Sequence, residues 1–220
     1  MIQRSDTLGQ VAAAHPAATH IFLRHRLDFC CGGAKPLEEA CHETGLDPET
    51  VIAEIGAELA DVSAESWEQK PPSELIDFIL TRFHDALRRD LPGLLEAAEK
   101  VERVHAEKSS CPHGLFAHLQ RMDAEIHQHL GKEEQILFPA IQGGARGPAI
   151  QMPIRVMMQE HEDHGANLGR LHELTSGFTA PPEACATWRA LYSSLAKLEA
   201  ELMEHIHLEN NVLFPRALTA

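Results

Sequence analysis

A segment of eleven residues occurs twice in this chain. His129-Leu-Gly-Lys-Glu133-Glu-Gln-Ile-Leu-Phe-Pro139 returns 76 residues later as His205-Ile-His-Leu-Glu209-Asn-Asn-Val-Leu-Phe-Pro215. A helix places residues i and i+4 on one face, so each copy should direct an imidazole and a carboxylate at one spot. Two such spots facing each other would form a metal site, and histidine with carboxylate ligands suits iron.

Four long amphipathic patterns follow the first 72 residues and predict an up-down four-helix bundle over 73–220. Helix A begins at Ser73, and helix B runs from about 115 to 138. Helices C and D follow after breaks rich in glycine and proline. The stripe of helix B continues from its apolar residues through His129 and Glu133 to Ile136. The prolines that close the two copies predict the ends of helices B and D.

The histidine and glutamate of each copy occupy positions that the helical spacing assigns to the core. An unpaired buried carboxylate is costly, and a metal ion would remove that cost in both helices. His84 on helix A and His161 on helix C are 77 residues apart, nearly the offset of the repeat. The pattern therefore predicts a duplicated helix pair and a site for two ions with bridging carboxylates. Its predicted ligands are His84, His129, Glu133, His161, His205 and Glu209.

Several neighbouring side chains are alternatives to these ligands. His164 lies one turn beyond His161 and is an open candidate for an additional ligand, although the duplication aligns it with a leucine. Glu134 lies off the stripe and is predicted to be solvated, and His127 and His207 are predicted to be at the surface. His105 would lie about 30 Å from His84 on a straight helix and is not counted as a ligand.

Residues 1–60 predict a small helical domain, joined to the bundle by a polar linker over 61–72. Asp47-Pro48-Glu49 predicts a helix that begins there and runs through Leu59. A predicted turn contains Cys30-Cys31-Gly32-Gly33, and adjacent cysteines seldom bridge to each other. Either one cysteine is buried and its neighbour incidental, or the thiol pair binds metal or nitric oxide or exchanges disulfides. The other three cysteines are predicted to be structural: Cys41, Cys111 and Cys185.

The composition limits the classes of function that are expected. Nineteen basic and 33 acidic residues give a net charge of −14, which argues against binding to a phosphate backbone. No apolar run approaches ~18 residues, so neither export nor a membrane span is expected. Five cysteines fit reduced thiols in the cytoplasm better than a disulfide framework.

These motifs resemble a known family. The part from residue 73 on is similar to hemerythrin-like domains, and nearly the whole chain resembles the repair of iron centres (RIC) family, with a small N-terminal domain of the ScdA type. The resemblance is carried by Asp28-Phe29-Cys30-Cys31-Gly32-Gly33, by Lys132 to Pro139 and by Leu208 to Leu218. Oxygen-carrying hemerythrins use more histidine and space the last histidine and aspartate by five, which puts simple oxygen carriage in doubt here.

The resemblance implies a cytoplasmic protein with two non-haem iron ions, joined by oxo or hydroxo and carboxylate bridges. Its expected role is to help repair iron–sulfur clusters damaged by nitrosative or oxidative stress by donating iron, with iron–sulfur proteins or a cluster scaffold as clients. The alternatives are reduction of nitric oxide to nitrous oxide at the di-iron site and an oxygen or nitric oxide sensor. Nucleic acid and membrane partners are not expected, and a homodimer is left open.

Overall fold

The computed structural model describes residues 2–59, 67 and 70–219. Within these ranges the regular structure is helical, and the sole β feature there is an isolated antiparallel bridge between Thr7 and Pro36. The predicted all-α class is confirmed. The chain begins with four short helices: α1 (Leu8–Ala14), α2 (Ala18–His25), α3 (Leu37–Thr44) and α4 (Pro48–Leu59).

Local hydrogen bonds explain where two of the short helices begin. Thr7 and Gln10 form a capping box, in which each side chain accepts a hydrogen bond from the other's backbone N–H. At α4 the Asp47 carboxylate accepts the Thr50 N–H at 3.2 Å, and Pro48 occupies the first helical position. The predicted start of α4 at Pro48 is confirmed, and the helix extends through Leu59 as predicted.

The four predicted long helices are present, and three of them contain a π turn. Helix A comprises α5 (Pro72–Ile79), the π turn Leu80–His84 and α6 (Asp85–His105). Helix B comprises α7 (Leu115–Lys132), the π turn Glu133–Leu137 and α8 (Phe138–Gln142). Helix C is α9 (Pro148–Thr175). Helix D comprises α10 (Ala186–His207), the π turn Leu208–Leu213 and α11 (Phe214–Leu218).

The prediction that Pro139 and Pro215 end helices B and D is wrong. Each proline is the second residue of a further helical segment that follows a π turn. A proline at the start of a helical segment is tolerated, because the first N–H groups have no partner within that segment.

The predicted inward position of Ile136 is also wrong. Ile136 is 60 % exposed, and the next residue, Leu137, is 1 % exposed. A π turn holds about one residue more than an α turn, so the buried face moves by one position beyond Glu133. A count that assumes 3.6 residues per turn throughout the helix then selects the wrong residue.

The chain divides into two compact units. The first comprises Met1–Ile76, Ala140–Met158 and Met203–Ala220. Its apolar core consists of side chains of α1 to α4, Phe22 among them, together with Leu27 and Phe29 of the loop between α2 and α3. Within this unit Arg216 donates hydrogen bonds to the carbonyl oxygens of Trp67 and Lys70.

The second unit comprises Asp77–Pro139 and Gln159–Leu202. Its buried side chains repeat at helical spacing along its four helical stretches and include Phe83, Trp188 and many leucines. Most of the predicted linker lies outside the described residues, as 60–66, 68 and 69 do, and its end at Pro72 is already helical. The predicted domain boundaries stay a prediction. None of the helices in the described part of the chain combines the length and apolarity that crossing a membrane requires.

Candidate metal centre

Three of the six predicted ligands lie in π turns. His84 ends the π turn of helix A, and Glu133 and Glu209 lie at the beginning of those of helices B and D. Each of these turns closes with a backbone N–H bonded to the carbonyl five residues earlier. π turns are costly in an isolated helix and occur frequently at functional sites.

Glu133 has no exposed surface and faces a histidine with each carboxylate oxygen. Its Oε2 lies 3.4 Å from Nε2 of His84, and its Oε1 lies 3.4 Å from Nε2 of His129. Nε2 of His161 lies 3.1 Å from Nε2 of His129. In helix D, Oε1 of the fully buried Glu209 lies 3.2 Å from Nε2 of His205.

These side chains form two groups that could each hold a metal ion, with ligand atoms within 4.8 Å of one another. One group is His84, Glu133, His205 and Glu209, and the other is His129, Glu133, His161 and Glu209. Both carboxylates belong to both groups. All six predicted ligands are thus brought together, and their binding of metal stays a prediction.

His164 is buried and lies near the site, with its ring centroid 5.0 Å from that of His129. It is absent from both groups of candidate ligands. His105, which was not counted as a ligand, is absent from them too and contacts Cys185 instead.

Outer carboxylates hold two of the ligand histidines in place. Nδ1 of His84 lies 2.8 Å from Glu134, which also accepts a hydrogen bond from Arg88 at 2.8 Å. Partial burial tends to raise the pKa of Glu134, but the hydrogen bonds from Arg88 and His84 lower it below its ordinary value. The prediction that Glu134 is merely solvated is wrong, because its side chain returns to the histidine of the neighbouring helix.

Glu160 plays the same part for His129. Nδ1 of His129 lies 2.9 Å from Glu160, which also pairs with Lys132. Here too burial raises the pKa and the bonds from Lys132 and His129 outweigh it, so the carboxyl stays ionised. Glu160 was not predicted from the sequence, although its position directly before His161 was an available signal.

The donor set fits a metal centre. A carboxylate on Nδ1 fixes the tautomer and direction of an imidazole, so that Nε2 is free to act as a ligand, and metal-binding histidines commonly have such a partner. Two fully buried carboxylates beside four buried imidazoles would be costly unless their charge is balanced, and cations balance it directly.

Comparison with known proteins identifies the family. The model of the hemerythrin HHE cation binding domain matches residues 75–217, and that of a domain of unknown function (DUF542) matches residues 4–59. The iron-sulfur cluster repair protein YtfE of Yersinia pestis (strain Pestoides F) is 49 % identical over 219 residues, 99 % of each chain. The YtfE protein of Yersinia pseudotuberculosis (serotype IB, strain PB1/+) gives the same values. The chain belongs to the YtfE family of hemerythrin-domain proteins. The predicted family and hemerythrin-like fold are confirmed.

The cysteine pair of this YtfE-family chain lies in a loop organised by Asp28. Its Oδ1 accepts the backbone N–H groups of Cys30 at 3.2 Å and Cys31 at 3.0 Å. The two sulfur atoms are 3.7 Å apart, a distance too long for a disulfide bond. The hydrogen bond to Cys31, burial and the charge of Asp28 raise the pKa of Cys30 well above its ordinary value, so its thiol stays protonated. Asp28, Cys30 and Cys31 form a third group that could hold a metal ion.

Two asparagines of helix D hold this loop from within the first unit. Asn211 donates to the carbonyl oxygens of Phe29 at 3.1 Å and Cys30 at 3.3 Å, and Asn210 donates to that of Cys30 at 3.3 Å. A Cβ added at Gly33 would lie 2.5 Å from Oδ1 of Asn211 and 2.8 Å from the carbonyl of Phe29. We call the hydrogen bonds of Asn210 and Asn211 to the carbonyl oxygens of Phe29 and Cys30 the asparagine clasp. The sequence analysis missed it, although Asn210-Asn211 replaces Glu134-Gln135 in the repeat.

His207 belongs to the same neighbourhood. It is 2 % exposed, its ring centroid lies 5.6 Å from that of Phe29, and Asn211 lies 3.1 Å from its Nδ1. Burial lowers its pKa to about 4, so the ring is neutral at physiological pH. The predicted surface position is wrong for His207, because the loop around Phe29 covers it, and it is confirmed for the exposed His127.

The remaining cysteines divide into two kinds. Cys41 and Cys111 are buried among apolar side chains, and burial raises the pKa of both thiols. Cys185 is exposed and lies next to His105. The structural role predicted for Cys185 stays a prediction, and apolar burial contributes nothing to it because the thiol is exposed.

Proposed function

We propose that this chain is a di-iron protein that helps to repair damaged iron–sulfur clusters by donating iron. The observation that carries the proposal is the pair of ligand groups that share Glu133 and Glu209. The YtfE relatives, 49 % identical over 99 % of their length, are named for iron–sulfur cluster repair. Iron–sulfur proteins or a cluster scaffold would then be its clients.

In this proposal each residue has a defined part. His84 and His205 would hold one ion, His129 and His161 the other, and the two glutamates would bridge them. Glu134 and Glu160 would keep the imidazoles of His84 and His129 directed at the ions. Two bound iron ions would supply exchangeable iron and, when ferrous, open positions for small ligands such as nitric oxide.

Two features support donation over permanent storage. Six protein ligands for two ions is a low number, so the protein holds each ion by few bonds. The group formed by Asp28, Cys30 and Cys31 offers a second place for an ion, and its protonated Cys30 would release a proton on binding. The cytoplasmic location stays a prediction.

Iron content tests the site. We would purify the protein without oxygen and compare it with a double variant, Glu133→Gln and Glu209→Gln. The matched control changes two exposed glutamates of helix A, Glu96→Gln and Glu99→Gln. We expect about two irons in the parent and the control and almost none in the double variant, because bridging ligands serve both ions. Equal iron in all three proteins would refute the site.

A transfer assay then tests the function. The iron-loaded protein is mixed with an apo iron–sulfur protein, sulfide and a reductant, and cluster formation is followed by absorbance. Transfer that depends on Glu133 and Glu209 supports the donor. Catalytic formation of nitrous oxide without transfer would favour the nitric oxide reductase, and a ligand-dependent change in partner binding without either would favour the sensor.

A further inference from the structure

The exposed thiol of Cys185 and the ring of His105 form a pair outside the metal centre. Sγ of Cys185 lies 3.3 Å from Nε2 of His105, which is 9 % exposed. The His105 ring packs on the indole of Trp188, with ring centroids 5.0 Å apart. At ~1.5 Å per residue, the 21 residues from His84 to His105 separate this pair from the metal centre by about 30 Å of helix.

Cys185 also caps a helix. It directly precedes α10 (Ala186–His207), and the backbone N–H groups of Trp188 and Thr187 are directed at its sulfur. These hydrogen bonds lower the pKa of Cys185 below its ordinary value, although burial acts in the opposite direction. The start of a helix carries partial positive charge, which favours a thiolate there.

The two segments around the pair are tied together. Lys108 donates to the carbonyl oxygen of Glu183 at 3.3 Å, and Ser110 donates to the Glu183 carboxylate at 2.5 Å. The titratable groups beside Cys185 in these contacts are His105, Lys108 and Glu183, and Lys108 and Glu183 are engaged with each other's segments. His105 is the group in hydrogen-bond range of the sulfur.

We propose that Cys185 and His105 form a nucleophilic thiol site that small electrophiles modify, with hydroperoxides as the natural class. The thiolate attacks one peroxide oxygen, an S–O bond forms and the O–O bond breaks. Sulfur is oxidised to a sulfenic acid, the peroxide is reduced, and the departing alkoxide or hydroxide takes a proton from His105 or water. Cys185 is the nucleophile, and His105 is its positioning residue.

Three buried cysteines provide an internal reference. The thiols of Cys30, Cys41 and Cys111 are buried, and their pKa values are raised. Since the thiolate is the reactive form and access is required, these three should react slowly at neutral pH. Reaction at Cys185 should therefore be faster than at these three.

Competitive alkylation tests the proposal. The full-length protein is treated with iodoacetamide at pH 7, and mass spectrometry follows each cysteine peptide. We expect Cys185 to react at least about ten times faster than Cys30, Cys41 and Cys111. After treatment with hydrogen peroxide, a dimedone adduct should form at Cys185.

Two variants separate chemistry from structure. His105→Gln and Thr187→Val should each slow Cys185 several-fold and move the midpoint of its pH–rate profile upward, while the rate of Cys31 stays unchanged. Thr187→Val keeps the side-chain shape, so it decides the question if His105→Gln does not fold. Alkylation of Cys185 no faster than the buried cysteines, an unchanged rate in the folded variants, or no sulfenic adduct would overturn the proposal.

Discussion

The two copies of the repeat share a backbone and differ in what surrounds it. In both, a histidine lies four residues before a glutamate of a π turn, and a phenylalanine and a proline follow in a further helical segment. The residues after the glutamate differ: Glu134-Gln135 in helix B and Asn210-Asn211 in helix D. Glu134 supports a ligand histidine, whereas the two asparagines hold the loop of Cys30.

This difference shows how two copies of one motif can make different contacts. The inward positions carry the candidate ligands and stay alike. The neighbouring positions carry contacts of different chemistry, since a carboxylate accepts from an imidazole and an amide donates to backbone carbonyls. One copy therefore strengthens the metal centre, and the other joins its helix to the cysteine loop.

The largest expected effect is on iron content and concerns the candidate ligands. Glu133→Gln should remove most of both irons, because Glu133 belongs to both ligand groups. His84→Gln should remove about one iron, because His84 belongs to one group. Iron analysis of the two variants beside the parent protein checks this prediction. Equal losses in both variants would contradict the assignment of Glu133 as a bridge.

The next largest effect is on stability and concerns two glycines, Gly33 beside the asparagine clasp and Gly131 in helix B. Gly33→Ala should destabilise the metal-free protein by about 2–3 kcal/mol, because its Cβ would overlap Asn211 and the Phe29 carbonyl. Gly131→Ala in helix B is the matched control. Its nearest neighbour would lie 4.0 Å away, and alanine favours a helix by about 1 kcal/mol. The midpoints of urea unfolding, followed by circular dichroism, should shift in opposite directions for the two variants. Shifts in the same direction would contradict the close packing of Gly33 against the asparagine clasp.

A smaller effect concerns the outer carboxylate of helix B. Glu134→Gln should weaken iron retention about 10- to 100-fold, because a neutral amide orients the His84 imidazole less firmly. The rate of iron loss to a chelator measures it, with Asn210→Ala as the control at the corresponding position. If both variants lose iron at the parent rate, Glu134 does not support the ligand.

The smallest effect concerns the clasp itself. Asn211→Ala should cost about 1–2 kcal/mol of unfolding free energy, because it removes donors from the carbonyls of Phe29 and Cys30. Gln135→Ala, at the exposed corresponding position in helix B, should change it by less than about 0.5 kcal/mol. Urea midpoints of the metal-free proteins compare the two. A loss at Asn211 no larger than that at Gln135 would mean that the clasp is not stabilising.

The helical periods and the repeat were enough to predict the four long helices and to select six side chains that the structure brings together. These predictions rest on inward positions, where helix geometry alone sets the direction of a side chain. The repeat occurs in both helix B and helix D. Its second copy supplied the second histidine and glutamate that a single His-x-x-x-Glu motif lacks.

The failures come from interactions that helical period does not encode. Ile136 was misplaced because the π turn shifts the buried face. Glu134 and Glu160 were missed as partners of histidines because their side chains reach across to another helix. His207 was misplaced because the residues that bury it come from the loop around Phe29, nearly 180 positions earlier in the chain.

The prolines of the two copies also mark the positions of the π turns in the amino-acid sequence. In both copies the proline follows the glutamate by six residues, at 133 and 139 and at 209 and 215, and helix continues beyond it. In this chain a glutamate six positions before a proline, with an apolar pair directly ahead of that proline, therefore accompanies a helix that continues past the proline and a carboxylate with no exposed surface. The same proline that ordinarily signals a helix end here follows a buried acid by a fixed spacing.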